Sequence, residues 1–268
     1  MGPGEDPRGR VGATDLGRGA RANARFVASD RTGYDCPVNT GRRRIAAILI
    51  GLATAIVIVA IAILPFMTPQ WVAFEQERSQ ATLWTGFTTD QLRTATDSIL
   101  ADLVLGADFI VQIDGRPVLN EREQAHMADV RTVFRGLWVL AIVSVIVLIA
   151  VSRRRERSAT WRAVRSGALG LAVGVVILGA VALVAFDQLF EAFHEVFFPP
   201  GSFLFDPRTD RLVQLFPFQF WQETAIVVGI VIIAIALGVA WVAGKRAVRG
   251  LPDPATAQDL APAAAPGR

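Results

Sequence analysis

The chain contains two histidines, and each of them follows a glutamate by three residues. Glu123 precedes His126, and Glu191 precedes His194. Residues three apart are neighbours on a helix, so each carboxylate could fix the tautomer of its imidazole and raise the basicity of the ring. Imidazole is the side chain whose unperturbed pKa lies closest to neutrality, and it is therefore the natural proton carrier in acid–base catalysis at neutral pH.

Other interpretations of the two histidines stay open. Two solvent-exposed helix faces, on which the glutamates precede the histidines only by chance, would show the same spacing of three residues. Two Glu-x-x-His pairs also resemble the ligand pattern of di-iron carboxylate bundles, with Glu75, Glu77 and Glu223 as further candidate ligands. Because the apolar segments offer no buried acids, we expect no metal. A serine hydrolase is disfavoured, since Ser202 lies outside any Gly-x-Ser-x-Gly elbow.

The composition is that of a membrane protein. Hydrophobic residues make up 52% of the chain, and the mean hydropathy is +0.42. About 20 helical residues cross a hydrocarbon core of about 30 Å. Three apolar stretches reach that length, and a shorter one can be extended outward: 45–67, 137–152, 167–186 and 224–243. The sequence therefore predicts a mainly α, polytopic membrane protein with four transmembrane helices.

The positions of arginine predict the orientation of the chain. Basic clusters precede the first span at 42–44, fill the loop at 153–165 and follow the fourth span at 245–249. By the positive-inside rule these flanks are cytoplasmic, so both termini lie inside the cell (plasma) membrane. Because topology accounts for the arginines and no nucleic-acid motif is present, the net charge of +3 does not indicate a nucleic-acid partner.

The chain divides into a membrane domain and two tails. Residues 1–41 and 251–268 lack apolar periodicity and are predicted to be disordered cytoplasmic tails. The first tail contains Cys36, the only cysteine, so no intrachain disulfide is possible. Residues 42–250 are predicted to form the four-helix membrane domain together with its outer loops.

The outer loops, 68–136 and 187–223, are predicted to form a small extracytoplasmic α/β cap built from two hairpins. Asp114-Gly115 between β-rich flanks is a strong hairpin signal, because a type I′ turn needs positive φ at both central residues. In the second loop, a turn at 206–210 separates two predicted strands. A lone hairpin is marginal in water, so we expect the two hairpins to pair.

The two histidines are expected at a similar depth near the lipid headgroups. If the flanking helices continue straight, His126 and His194 lie roughly 16 Å and 12 Å outside their spans. The second loop is also rich in phenylalanine, at positions 190, 193, 197, 198, 203 and 205. These rings either pack the cap onto the bundle or line a groove for acyl chains at the outer leaflet.

Together these features resemble the integral membrane proteins typified by lipoprotein intramolecular transacylase. The resemblance covers about residues 45–243. Its motifs are Glu123-x-x-His126-Met127-x-Asp129-Val130, Phe193-His194-x-x-Phe197-Phe198 and Phe205-Asp206-Pro207-x-x-Asp210-x-Leu212-x-x-Leu215-Phe216-Pro217. One departure is Gln219, where an acidic residue is expected before the aromatic pair Phe220-Trp221.

The resemblance implies a membrane acyltransferase without a cofactor. Its substrate is a diacylglyceryl-modified lipoprotein or other lipid at the outer leaflet, and one acyl chain moves from the glycerol to the α-amine of the modified cysteine. One of His126 and His194 is then the general base and acid, and the other orients groups or stabilises the oxyanion. The supporting candidates are Glu123, Asp129, Glu191, Glu195, Asp206, Arg208 and Asp210.

The main alternative is a non-enzymatic membrane protein whose extracytoplasmic cap binds a partner in an assembly or chaperone role. The two hypotheses differ in geometry, because the enzyme needs both imidazole rings in one cleft open to the outer leaflet. A transporter is disfavoured, since no predicted span carries a charge in its interior.

Overall fold

The computed structural model describes residues 37–153 and 155–249. The predicted tails lie outside this range, except that residues 37–41 begin the first helix. The described elements are α1 (Pro37–Ile63), α2 (Pro69–Arg78), α3 (Ala81–Thr85), α4 (Thr89–Leu105), β1 (Gln112–Ile113), β2 (Arg116–Pro117), α5 (Glu121–Arg153), α6 (Arg157–Phe197), α7 (Arg211–Leu215) and α8 (Phe218–Arg249). A 3₁₀ turn at Leu64–Met67 extends α1 toward α2.

Four of these described helices are long and apolar enough to cross a membrane: α1 with its 3₁₀ turn, α5, α6 and α8. The predicted architecture of four spans is therefore confirmed. α6 has 41 residues and a kink at Ala185, and its two parts together give about 60 Å of helix against a hydrocarbon core of about 30 Å. The last turns of α6 consequently project beyond the core, as does the charged beginning of α5. These projecting ends carry the two histidines.

Small side chains hold the membrane-crossing helices together. α1, α6 and α8 share one apolar cluster, which consists of Ile58, Ala62, Ala168, Ala172, Ile232, Ala236 and Ala240. At Gly51 and Gly167, α1 and α6 approach so closely that a Cβ on Gly167 would overlap the backbone of Gly51. Such close backbone contact is a common way for helices to associate in lipid. An apolar groove of about 390 Å³ separates α1 from α5.

The cap, residues 64–120 and 198–217, covers the end of the bundle where α1 and α6 finish and α5 and α8 begin. One apolar cluster joins its two segments, and Phe109 and Leu215 are fully enclosed in that cluster. The helix α4 turns a regularly spaced apolar face into the same cluster. The cap therefore holds the two loops together and fixes the projecting ends of the long helices.

The first predicted hairpin is confirmed. β1 and β2 pair in antiparallel fashion, with Ile113 opposite Arg116. At the turn, Asp114 and Gly115 both have positive φ, +50° and +74°. Positive φ at two consecutive positions is what a type I′ turn requires.

The second predicted hairpin is wrong, because its second arm is the helix α7. Leu212, Leu215 and Phe216 are all buried. Their spacing of three and four residues places them on one face of a helix, whereas successive residues of a strand point to opposite faces. Within the described residues, the only sheet is the pair of strands in the first hairpin.

Candidate active site

His126 and His194 lie side by side at the cap end of the bundle. Their ring centroids are 6.1 Å apart, and the ring planes are inclined by 18°. His126 is in the second turn of α5, and His194 is in the last turn of α6. The sequence predicts a similar depth for the two rings, and the structure adds that the two helix ends converge.

Phenylalanine rings surround the histidine pair. The rings in contact with one or other imidazole are those of Phe190, Phe193, Phe198, Phe203 and Phe205. Phe198 contacts both histidines, at centroid distances of 4.8 Å to His126 and 5.3 Å to His194. Most of the predicted aromatic cluster therefore forms the wall of this site, where it lowers the local polarity around any reacting group.

His126 is buried and keeps one ring nitrogen free. Its exposed fraction is 6%, and its Nδ1 has no hydrogen-bond partner among the described residues. The ring lies outside the apolar part of α5. Burial, followed by the neighbouring His194, lowers the pKa of His126 from 6.5 to about 4, although Asp129 acts in the opposite direction. His126 is therefore an uncharged imidazole at neutral pH.

His194 is held by the backbone of its own helix. Its Nδ1 lies 2.6 Å from the carbonyl oxygen of Phe190, one turn earlier in α6. In a neutral ring, Nδ1–H then donates to this carbonyl and Nε2 keeps a lone pair. Glu191, the expected orienting acid, is exposed and has no hydrogen bond to His194 in the described structure. The orienting group is therefore a carbonyl oxygen.

Glu123 does not orient His126 either. Its carboxylate is 1% exposed and accepts two backbone N–H groups, from Asn120 at 2.7 Å and from Leu212 at 2.6 Å. Desolvation by burial raises the pKa of Glu123, and these two hydrogen bonds act against that rise. Because Leu212 lies in α7, Glu123 fastens the second segment of the cap to the beginning of α5.

Asp210 forms a second connection between the same elements. Its buried carboxylate accepts hydrogen bonds from the backbone N–H of Asp206 and from the side chains of Asn120 and Arg122. The guanidinium of Arg122 also covers the ring of Phe205, 4.9 Å from its centroid. Arg122 and Asn120 are site-supporting residues that sequence reasoning missed.

The remaining candidates have no hydrogen bond to either ring in the described structure. Asp206 accepts two hydrogen bonds from Arg208, and the backbone bond in particular lowers the pKa of Asp206. Asp129 is half-buried, and Glu195 is exposed on α6. In the part of the chain that the structure describes, no group of three or more His, Cys, Asp or Glu side chains could hold a metal ion.

Comparisons with known proteins indicate the family and the fold of this chain. Residues 46–221 match the family model described as lipoprotein intramolecular transacylase Lit. A relative from Aquifex aeolicus, described as an uncharacterized protein, is 25% identical over 143 residues. That match covers 51% of this chain and 62% of the relative, which is less than two thirds of its length.

Solved structures of lipoprotein intramolecular transacylase Lit from Bacillus cereus have the same fold. One of them has a TM-score of 0.66 at 15% identity and covers 78% of this chain and 97% of the other. A second, in which a histidine is replaced by alanine, has a TM-score of 0.64 at 14% identity, with 79% and 96% coverage. At this level of identity the similarity shows a shared fold.

Proposed function

We propose that this chain, which belongs to the lipoprotein intramolecular transacylase Lit family, moves an acyl chain within the N-terminus of a diacylglyceryl-modified lipoprotein. The ester on the glycerol is the donor, and the α-amine of the modified cysteine is the acceptor. The observation that carries the proposal is the contrast between two neighbouring imidazoles, one bound to a backbone carbonyl and one buried without a partner at Nδ1.

In this proposal His194 is the general base and acid. An α-amine has a pKa of about 7.7–8.0, so it must lose a proton before it can attack an ester at neutral pH. That first proton leaves to solvent. As the neutral amine attacks, Nε2 of His194 accepts a second proton from the nitrogen, while Nδ1–H stays on the carbonyl of Phe190. A new C–N bond forms, the C–O bond to glycerol breaks, and the proton passes to the leaving glycerol oxygen. Amine and ester belong to one substrate, so the site mainly supplies orientation.

His126 is the group that stabilises the developing oxyanion. A ring with a pKa of about 4 is neutral at physiological pH, and a neutral imidazole still has one N–H to donate. The described structure buries its Nδ1 without a protein partner, so the hydrogen-bonding capacity of that nitrogen is left for a substrate atom that enters the aromatic site. In surroundings formed by phenylalanine rings, a hydrogen bond to an oxyanion is stronger than it would be in water.

The location follows from the distribution of arginine. The arginines at 42–44 and 153–165 support a cytoplasmic location for the opposite end of the bundle. Both termini are then cytoplasmic, and the histidine pair faces outward at the depth of the lipid headgroups. Phe193 and Phe197, both half-exposed beside the pair, suit the acyl chains of a substrate that stays in the outer leaflet. The alternative of a partner-binding cap has no need for two rings in one aromatic site.

Mass spectrometry of a reporter lipoprotein tests the proposal. The protein, its H194A and H126A variants and an E191Q control are expressed in a host that lacks other N-acylation. We expect acyl transfer to the α-amine with wild type and E191Q, because Glu191 has no bond to His194 in the described structure. We expect no transfer with H194A and at least a hundredfold loss with H126A. A free α-amine with well-expressed wild-type protein, or full transfer by H194A, would refute the proposal.

A further inference from the structure

Three apolar side chains at one edge of the cap are exposed although they belong to no span. Val104 and Leu105 end α4, and Ile110 lies in the following loop. Their exposed fractions are 70%, 81% and 65%. Exposed apolar side chains that cluster in this way indicate a contact surface, and we name these three residues the α4 edge.

The loop after α4 adopts an unusual backbone conformation where it exposes this surface. Phe109 has a φ of +57°, which costs a bulky residue about 1–2 kcal/mol. In this conformation the Phe109 side chain is fully buried beneath the guanidinium of Arg131, 5.0 Å from the ring centroid, while the next residue, Ile110, points outward. The chain therefore adopts an unfavourable conformation in the segment that exposes an apolar side chain.

Two arginines of α5 fix the depth of the α4 edge. Arg131 donates hydrogen bonds to the carbonyl oxygens of Ala107 and Asp102, and the guanidinium of Arg135 lies against Gly106. Arg131 and Arg135 precede the apolar stretch 137–152 by six and two residues. This stretch must extend outward to about residue 133 to cross the hydrocarbon core, so at 1.5 Å per residue the loop lies within about 9 Å of the core boundary. This is the depth of the headgroup region.

We propose that the α4 edge inserts into the lipid bilayer at the boundary between headgroups and acyl chains. We identify lipid as the partner of this surface because the exposed apolar residues of α5 begin with Val139 and Leu140, about one helical turn after Arg135. Arg131 and Arg135 add positive charge at the level of the lipid phosphates. This insertion anchors the cap in addition to the transmembrane helices and independently of any chemistry at the histidine pair.

Fluorescence quenching by brominated lipids tests this proposal. Single-cysteine variants L105C and I110C are made in a C36S background, labelled with bimane and reconstituted in phosphatidylcholine–phosphatidylglycerol vesicles. The matched aqueous control is T94C, an exposed site on the same helix about 16 Å from Leu105. The control for quencher function is V143C in the span of α5.

We expect lipids brominated near the headgroup to quench bimane at Leu105 and Ile110 at least twofold more than at Thr94. All labelled side chains are exposed, so the variants should fold, which circular dichroism checks. With Val143 quenched normally, quenching at Leu105 and Ile110 no stronger than at Thr94 would overturn the proposal. Shielding of both sites from aqueous iodide without quenching by lipid would also overturn it, because a second protein copy would then cover the edge.

Discussion

Replacing Glu123 by glutamine should loosen the cap. The carboxylate accepts one backbone N–H from Asn120 and one from Leu212. An amide of the same size has only one oxygen, and its NH₂ group faces the second donor, so one buried N–H loses its partner. Hydrogen bonds to charged groups contribute about 1.5–3 kcal/mol each. The neutral amide avoids part of the desolvation that raises the pKa of Glu123, and we therefore expect E123Q to cost about 2 kcal/mol.

Thermal unfolding of the purified protein measures this cost. A loss of about 2 kcal/mol should lower Tm by roughly 4–8 °C in a chain of this size. The matched control is E121Q, because Glu121 lies in the same first turn of α5 but is exposed. A Tm for E123Q within 1 °C of that of E121Q would refute the inference that Glu123 fastens α7 to α5.

Two further predictions concern protonation and helix packing. Folded His126 has a pKa of about 4 against 6.5 when unfolded, so its stabilising contribution is complete above pH 6.5 and decreases as the pH falls from 6.5 to 4. We expect roughly 3 kcal/mol of stability to be lost over that range, and most of this pH dependence should be missing from the unfolding of H126Q. G167A should lower Tm by an amount equivalent to about 1–3 kcal/mol, because the added Cβ would overlap the backbone of Gly51. The matched control is G170A, which should leave Tm nearly unchanged because a Cβ at Gly170 meets no other atom within 4 Å.

Local sequence was sufficient to predict the spans and the first hairpin. The length of an apolar stretch determines whether a helix can cross a bilayer, so the four spans could be recognised without tertiary contacts. The turn at Asp114-Gly115 depends on two adjacent residues with positive φ. The similar depth of His126 and His194 also followed from counting residues along the flanking helices.

The errors concern contacts between residues that are distant in the chain. Glu123 was paired with His126 because the two residues are three apart, yet its partner Leu212 lies 89 residues away. The second hairpin was predicted from turn residues and β-forming flanks. Burial of Leu212, Leu215 and Phe216 against the cap core instead selects a helical turn, and such tertiary packing overrides local propensity.

The two histidines depend on different parts of the fold. The ring of His194 is oriented by the Phe190 carbonyl of its own helix, so this orientation requires only that the last turns of α6 stay helical. Burial of His126 depends on Phe198 and Phe205, and Phe205 is held by Arg122 and Asp210 in the connection between the cap segments. Loosening of the cap by E123Q should therefore expose His126 to water and move its pKa from about 4 toward 6.5, while the His194 tautomer stays unchanged. Titration of ¹⁵N-labelled imidazoles by NMR would detect this difference. Equal changes at both rings would contradict the inference that the two histidines depend on different parts of the fold.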